Sequence, residues 1–324
     1  VTTLTPVADG TCSRPGTVRR ASAFRTLREA SRPWPFLAPL LASLAIWVYG
    51  PAAATMVLSF LRWNLTSGPP SFAGLANYRA LLADPDFASA AWQTLLFMAA
   101  MIPLGVGLPL WLAIALWKRP GRAAFAYRCL LFTPMTLAPV ATAICWQFAL
   151  NPLTGVLHSV CVLAGLPTPD LLGSQQTALW ALAVITSGKV IALNVLLFCA
   201  ALAAVDPRTL EAARLEGASE GQVTRRIVVP QLRRTVVLLT LLTAVYAGQW
   251  SFTNISVLTQ GGPANSTDNV YYLSYRYGFD YFDIGRSAAL SVLVALVLVA
   301  LVLAAAVVPG RLRRRTRRWT QRWK

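Results

Sequence analysis

The chain has 324 residues, of which 56% are hydrophobic and 13% charged, with a net charge of +17 and a mean hydropathy of +0.55. Soluble globular domains carry roughly a quarter charged residues, so this composition excludes one. The apolar residues fall in runs long enough for the ~20 residues that a bilayer-spanning helix needs. Irregular backbone cannot face lipid, so the expected fold class is an all-α integral membrane protein with six transmembrane helices.

In chain order, residues 1–33 are basic, lack hydrophobic periodicity and are expected to be a flexible cytoplasmic N-terminus. The first apolar run, Trp34–Leu61, is too long for a signal-peptide core and is read as a retained helix. Further spans are expected at Ala90–Trp117, Tyr127–Leu150, Thr177–Leu202, Thr235–Val257 and Gly285–Val308. They delimit a six-helix domain over 34–308, followed by a basic tail at 309–324. Pro51, Pro103, Pro109, Pro134 and Pro139, with Gly105 and Gly107, interrupt the first three spans and predict kinks there.

The basic residues alternate in side. Most lie before the first span, between spans two and three, between spans four and five, and in the tail; the exceptions are Arg62, Arg79, Lys189, Arg276 and Arg286. The positive-inside rule then places both termini and the loop between spans four and five in the cytoplasm. That distribution makes the charge a topology anchor near anionic headgroups and argues against nucleic-acid binding. Cys12, Cys129, Cys145, Cys161 and Cys199 form no CxxC pair, and His158 is the sole histidine, so no metal centre is expected.

Three spans differ in polar content. In span four, Lys189 sits near the middle, where an ammonium costs ~2.5–3.5 kcal/mol on insertion scales and so should face the bundle interior or a water-filled cavity. Thr186 lies one turn away on the same side, whereas Asn194 is about 140° around the helix. In span five, Tyr246, Gln249, Trp250 and Thr253 share a face, and Asn254 and Ser256 widen the polar zone. A face lining a solute path and simple interhelical hydrogen bonding are both open readings of the span-five residues. For Lys189 the readings are a place near the path of an anionic or hydroxyl-rich solute, or an internal salt bridge or carbonyl contact with no transport role. Span six is nearly pure Ala, Leu and Val after Ser291 and is expected at the periphery.

The loop between spans four and five, about 204–232, is polar yet highly patterned. Asp206 is an N-cap with Pro207 at the first helical position. Gly217 ends that helix, and Ser219 with Gln222 has capping-box spacing for a second. Glu211 and Glu216 are expected to point outward, beside an apolar patch of Ala212, Ala213 and Leu215. A linker does not need so defined a shape; a docking element does.

Glu211-Ala212-Ala213, Gly217, Ile227 and Pro230 resemble the EAA signature of bacterial ATP-binding-cassette importer permeases. Val229 stands where the family usually has Leu, and Glu216 where Asp is common. FAGLANYRALLADPDF (Phe72–Phe87), NPLTGVLH (Asn151–His158) and LTQGGPANSTDNVYYLSYRYGF (Leu258–Phe279) resemble the family's external segments. The match is similar to the six-helix, maltose-type carbohydrate-uptake subgroup. It implies a multi-pass permease of the bacterial inner membrane with a sister permease, an extracytoplasmic binding protein and a cytoplasmic ATPase dimer. ATP and Mg would sit on the ATPase, with no cofactor in this chain, and Glu211, Ala212, Ala213, Glu216, Gly217, Ile227 and Pro230 would couple to it. KVIALNVLLFCAAL (Lys189–Leu202) looks most like span four of permeases for sn-glycerol-3-phosphate and glycerophosphodiesters; a disaccharide or other sugar is the alternative.

The chain carries no GxxxxGK[ST] loop and so is not the motor. A stand-alone channel or secondary transporter is the remote alternative; it would need coupling-ion ligands, yet spans one to five hold no carboxylate. A membrane enzyme would need paired carboxylates or a nucleophile–base pair, and neither is evident.

Overall fold

The computed structural model describes residues 34–320 apart from 67 and 120, and the expected flexible stretch 1–33 lies outside the described residues. The chain divides into two units, Val1–Ala54 and Thr55–Lys324. The first contains most of the apolar helical run Phe36–Ser59. The second contains the remaining spans, Pro85–Trp117, Ala178–Ala203, Arg233–Leu258 and Ile284–Ala305, together with a bent pair, Phe125–Thr136 and Pro139–Ala149. Counting that pair as one crossing gives the six expected spans.

Span three departs from the continuous helix read over Tyr127–Leu150. It breaks at Leu137–Ala138, and the two halves meet at 96°. The cause is local. Pro139 disfavours a helical conformation at the residue before it, and Ala138 adopts φ −60°, ψ 133° with Leu137 extended at φ −79°, ψ 140°. The halves then separate: Arg122–Thr136 packs on span four, and Pro139–Ala149 packs on span five. Span two also starts earlier than read, at Pro85, because the Asp84 carboxylate accepts from the Asp86 N–H at 3.0 Å and caps it.

Three further prolines leave a common mark. π-helical turns at Ala45–Tyr49, Pro103–Gly107 and Thr224–Val228 each end two residues before a proline: Pro51, Pro109 and Pro230. Proline has no N–H to give to the carbonyl four residues back, so the ladder widens to an i→i−5 bond just before it.

Spans two, four and five form the centre, through Phe97, Met101, Leu182, Ala183, Val190, Ala247 and Ile255. Gly105 permits their contact: a Cβ there would lie 2.8 Å from both Thr243 Cγ2 and Val190 Cγ1. Span four buries 56% of its central window and span six only 17%, which places span six at the rim of this unit as expected. Its helix runs on to Thr320 without a break at Pro309.

The external end is held by long-range polar bonds. Tyr277 donates to Asp84 Oδ2 at 2.6 Å, and Asn77 donates to the carbonyls of Ser59 and Leu61 at 2.9 and 2.8 Å. Arg276 pairs with the buried Asp268 at 2.6 Å. Burial pushes the Asp268 carboxyl up from its ordinary range, and Arg276 pulls it back only in part.

Candidate functional site: a cavity at the broken span and a cytoplasmic hairpin

The break in span three opens a cavity of about 280 Å³ against spans four and five. Pro134, Leu137, Pro139, Thr142 and Trp146 line it from the two halves of span three. Thr186 and Lys189 face it from span four, and Trp250 and Asn254 from span five. Thus the structure brings together four of the residues singled out in the sequence: Lys189, Thr186, Trp250 and Asn254.

Each polar group in this wall has a geometric reason. Lys189 Nζ donates to the Leu137 carbonyl at 2.5 Å. That carbonyl terminates the half-helix Arg122–Thr136, and a cation at a helix C-terminus is favoured by the dipole as well as by the hydrogen bond. No carboxylate among the described residues pairs with Lys189. Asn254 Nδ2 donates to Thr186 Oγ1 at 2.8 Å and ties span five to span four beside the cavity.

The other candidates lie elsewhere. Asn194 is buried and does not line the cavity. Its Nδ2 donates to the Gly105 carbonyl, which Pro109 leaves without its usual i+4 donor, and to Thr243 Oγ1 at 2.8 Å. It is an interhelical clamp between spans two, four and five. Tyr246 stacks on Trp250 with ring centroids 4.9 Å apart and planes 9° apart, which fixes the indole from below. Gln249 is exposed and Thr253 half-buried, and neither lines the cavity. The contribution of span three was missed in the sequence. Its signal was Pro139 itself, with Thr142 and Trp146 following at helical spacing on one face of the second half.

The cytoplasmic loop folds as its pattern requires. Asp206 accepts from the Arg208 N–H at 3.0 Å and starts the helix Pro207–Leu215. Gly217 adopts φ +85°, while its N–H reaches the Arg214 carbonyl at 3.0 Å and the Ala218 N–H reaches the Ala213 carbonyl at 3.0 Å. This pair of bonds is a Schellman motif, and Ala213 and Ala218 both pack against the buried cluster beneath it. Ser219 and Gln222 then form a complete capping box.

The hairpin is seated on the bundle. Leu210, Val223, Val228 and Leu232 are buried with Val106, Ala113, Phe198, Leu202 and Leu239. Ile227 packs at the edge of this cluster, and Pro230 follows the π-helical turn that returns the chain to span five. The expected apolar patch divides. Ala213 turns inward, because it sits three residues after Leu210 on the buried face, whereas Ala212 and Leu215 remain outside with Glu211 and Glu216. Leu215 is 89% exposed, an apolar knob at the tip of an anchored helix. Among the described residues, no three His, Cys, Asp or Glu side chains are placed to hold a metal ion.

Comparison with known proteins agrees with this architecture. The model of the family described as "Binding-protein-dependent transport system inner membrane component" matches residues 105–318. The chain is 32% identical to the sn-glycerol-3-phosphate transport system permease protein UgpA of Agrobacterium fabrum (strain C58 / ATCC 33970) over 266 residues, 82% of this chain and 90% of that one. It is 29% identical to the UgpA protein of Pectobacterium atrosepticum over 271 residues, 84% of this chain and 91% of that one. Among solved structures, a bacterial ABC transporter involved in the import of the acidic polysaccharide alginate contains a chain of the same fold. The TM-score is 0.77 at 20% identity, over 89% of this chain and 99% of that one. The chain belongs to the binding-protein-dependent transport system inner membrane components: it is a multi-pass, non-catalytic permease of an inner-membrane ATP-binding-cassette importer that works with a binding protein and a separate ATPase.

Proposed function

We propose that this permease translocates a small phosphorylated polyol, sn-glycerol-3-phosphate or a glycerophosphodiester. The observation that carries this reading is Lys189: an ammonium that lines a cavity within the membrane and has no carboxylate partner among the described residues. A phosphate oxyanion pairs with ammonium through short, charge-assisted hydrogen bonds. Thr186 and Asn254 add polar contacts, and relatives named as sn-glycerol-3-phosphate permeases are 29–32% identical over most of the chain. In this reading Lys189, Thr186, Trp250 and Asn254 touch the solute path, Tyr246 supports Trp250, and Asn194 holds the surrounding helices. Gln249 and Thr253 extend the path toward neighbouring subunits.

The hairpin is proposed as the coupling element. Glu211, Ala212, Glu216 and Gly217 present its outer face to an ATPase subunit, while Ala213, Ile227 and Pro230 fasten it to the bundle. A sister permease completes the translocation pathway, with one ATPase of a dimer under each permease. The permeation domain over 34–308, with basic cytoplasmic segments at both ends, is the corresponding division of the chain.

A neutral sugar is the second reading. It is favoured by Trp146 and Trp250 in the cavity wall, since indole faces stack on sugar rings. Reconstitution of the complete importer in proteoliposomes separates the two. Solute-stimulated ATP hydrolysis is measured with sn-glycerol-3-phosphate, a glycerophosphodiester and a disaccharide, each with the binding protein present. The phosphorylated solutes should stimulate, and Lys189→Met should raise their KM by roughly tenfold or more, the loss of one charge-assisted hydrogen bond. Stimulation by the disaccharide alone, unchanged in Lys189→Met, would sink the phosphate reading.

A further inference from the structure

The junction of span three is tied to span four by the same residue proposed to meet the solute, Lys189. The half-helices on either side of Leu137–Ala138 are attached to different partners, the first to span four and the second to span five. Their 96° angle is therefore set by how spans four and five lie beside each other and by what holds the junction. Around that junction the local carbonyls are served from nearby: Thr136 Oγ1 donates to the Thr133 carbonyl at 2.8 Å, and the Thr142 N–H donates to the Ala138 carbonyl at 3.0 Å. The Leu137 carbonyl instead takes its donor from 52 residues away, Lys189 Nζ, at 2.5 Å. Leu137 and Lys189 both line the cavity.

We propose that Lys189 is a latch on the break of span three, which holds the Leu137 carbonyl when the cavity is empty and yields it to an oxyanion of the solute. The latch rests on the reading of an anionic solute above. Its physical basis is a competition. A bond from ammonium to an oxyanion joins two opposite charges, whereas one to a carbonyl joins a charge to a dipole, so the solute draws the ammonium away from the carbonyl. A carbonyl that loses its donor in an apolar setting is costly, so the break must rearrange to find another donor. Four methylenes give the lysine the reach to make either bond, and the side-chain ties between spans four and five, Asn254–Thr186 and Asn194–Thr243, are neutral and need not change. Solute binding is thereby converted into a change of angle between two half-helices, each carried by a different span.

The chain carries its own reporters. Cys129 and Cys145 are exposed and lie on the two sides of the break. With Cys12→Ser, Cys161→Ser and Cys199→Ala in the intact importer, spin labels on Cys129 and Cys145 measure the distance across it. In the wild-type background, binding protein loaded with sn-glycerol-3-phosphate, without ATP, should shift the distance distribution. Lys189→Met should show the shifted distribution with no solute present, and the solute should add nothing further. Lys189→Arg, which keeps a cationic donor, should restore the unshifted distribution. If Lys189→Met without solute coincides with the wild type, or if Lys189→Arg behaves like Lys189→Met, the latch is overturned. Lys189→Ala, with the same expected and overturning results, serves if the methionine variant does not assemble. The solute-free comparison bears on the latch alone. A shift driven by a disaccharide but not by sn-glycerol-3-phosphate would remove the phosphate reading, and with it the oxyanion as trigger.

Discussion

The hairpin at 206–232 and the break in span three both interrupt helical chain, and they are fastened in opposite ways. Every turn of the hairpin is closed by a neighbour in sequence: Asp206 on Arg208, Gly217 on Arg214, Ser219 and Gln222 on each other. Its buried face adds Leu210, Val223 and Val228 to a cluster shared with spans two, four and five. The break has no such local closure at Leu137 and depends on one long side chain from another span. The difference fits the two tasks proposed for them. An element that transmits force must keep its shape under load, and dense local capping with apolar anchoring gives that. An element that responds to a solute must have an alternative of similar free energy, and a single exchangeable bond gives that.

The largest effect that tests this contrast is expected at Gly217. Its φ of +85° is closed to proline, whose ring fixes φ near −65°. Gly217→Pro should abolish ATP-driven uptake while leaving the chain in the membrane, seen by transport assay beside quantitative blotting. Gly217→Ala, with open space for its Cβ but a left-handed backbone, should cost about 1–2 kcal/mol and reduce uptake only in part. If proline there is tolerated, the hairpin is not a rigid transmitter. A smaller effect is expected at the clamp between the spans. Gly105→Val must push Thr243 and Val190 apart, about 1–3 kcal/mol of overpacking, and Asn194→Leu leaves the Gly105 carbonyl without its Nδ2 donor at similar cost. Both should lower the apparent melting temperature of the purified complex without changing solute preference. A change of preference in Asn194→Leu would mean that the clamp also touches the path.

The same division explains what could be read from the sequence. Asp206-Pro207, Gly217 and Ser219/Gln222 act within a few residues, so their chemistry is written in their spacing, and the hairpin folds as that spacing requires. The spans follow equally from apolar length. The break did not, because Pro134 and Pro139 announce a disturbance without its angle, and the angle depends on which helices the halves pack against. The partners of Lys189 and Asn194 were hidden for a related reason: each serves a carbonyl in a distant span, Leu137 at the break and Gly105 opposite Pro109. In a membrane, a proline in one helix creates a demand that a polar residue in another must meet, and a single helical face does not reveal that pairing. Ala213 failed its expected place more simply, since a three-residue step from Leu210 carries it to the buried face.

The smallest expected effect lies at the external end, where a long-range bond serves stability alone. Tyr277 is buried and donates to Asp84, which also caps the start of span two. Burial, and the adjacent carboxylate, push the phenol well above the ordinary tyrosine value of about 10. The sign follows from linkage. A raised value means that the folded protein holds the proton more tightly, so the bond contributes fully at every pH below about 10 and is lost as pH rises through the raised value. Tyr277→Phe should therefore lower stability by about 1 kcal/mol, evenly from neutral pH to about 9, and leave uptake unchanged. Melting curves of the purified complex across that range test it. A deficit that grows steadily between neutrality and pH 9 would mean that the folded protein titrates the phenol below its ordinary value, against the burial and the carboxylate beside it. A loss of uptake at unchanged melting temperature would give this external bond a share in the transport cycle, and the division between fixed and exchangeable fastenings would then extend beyond the membrane.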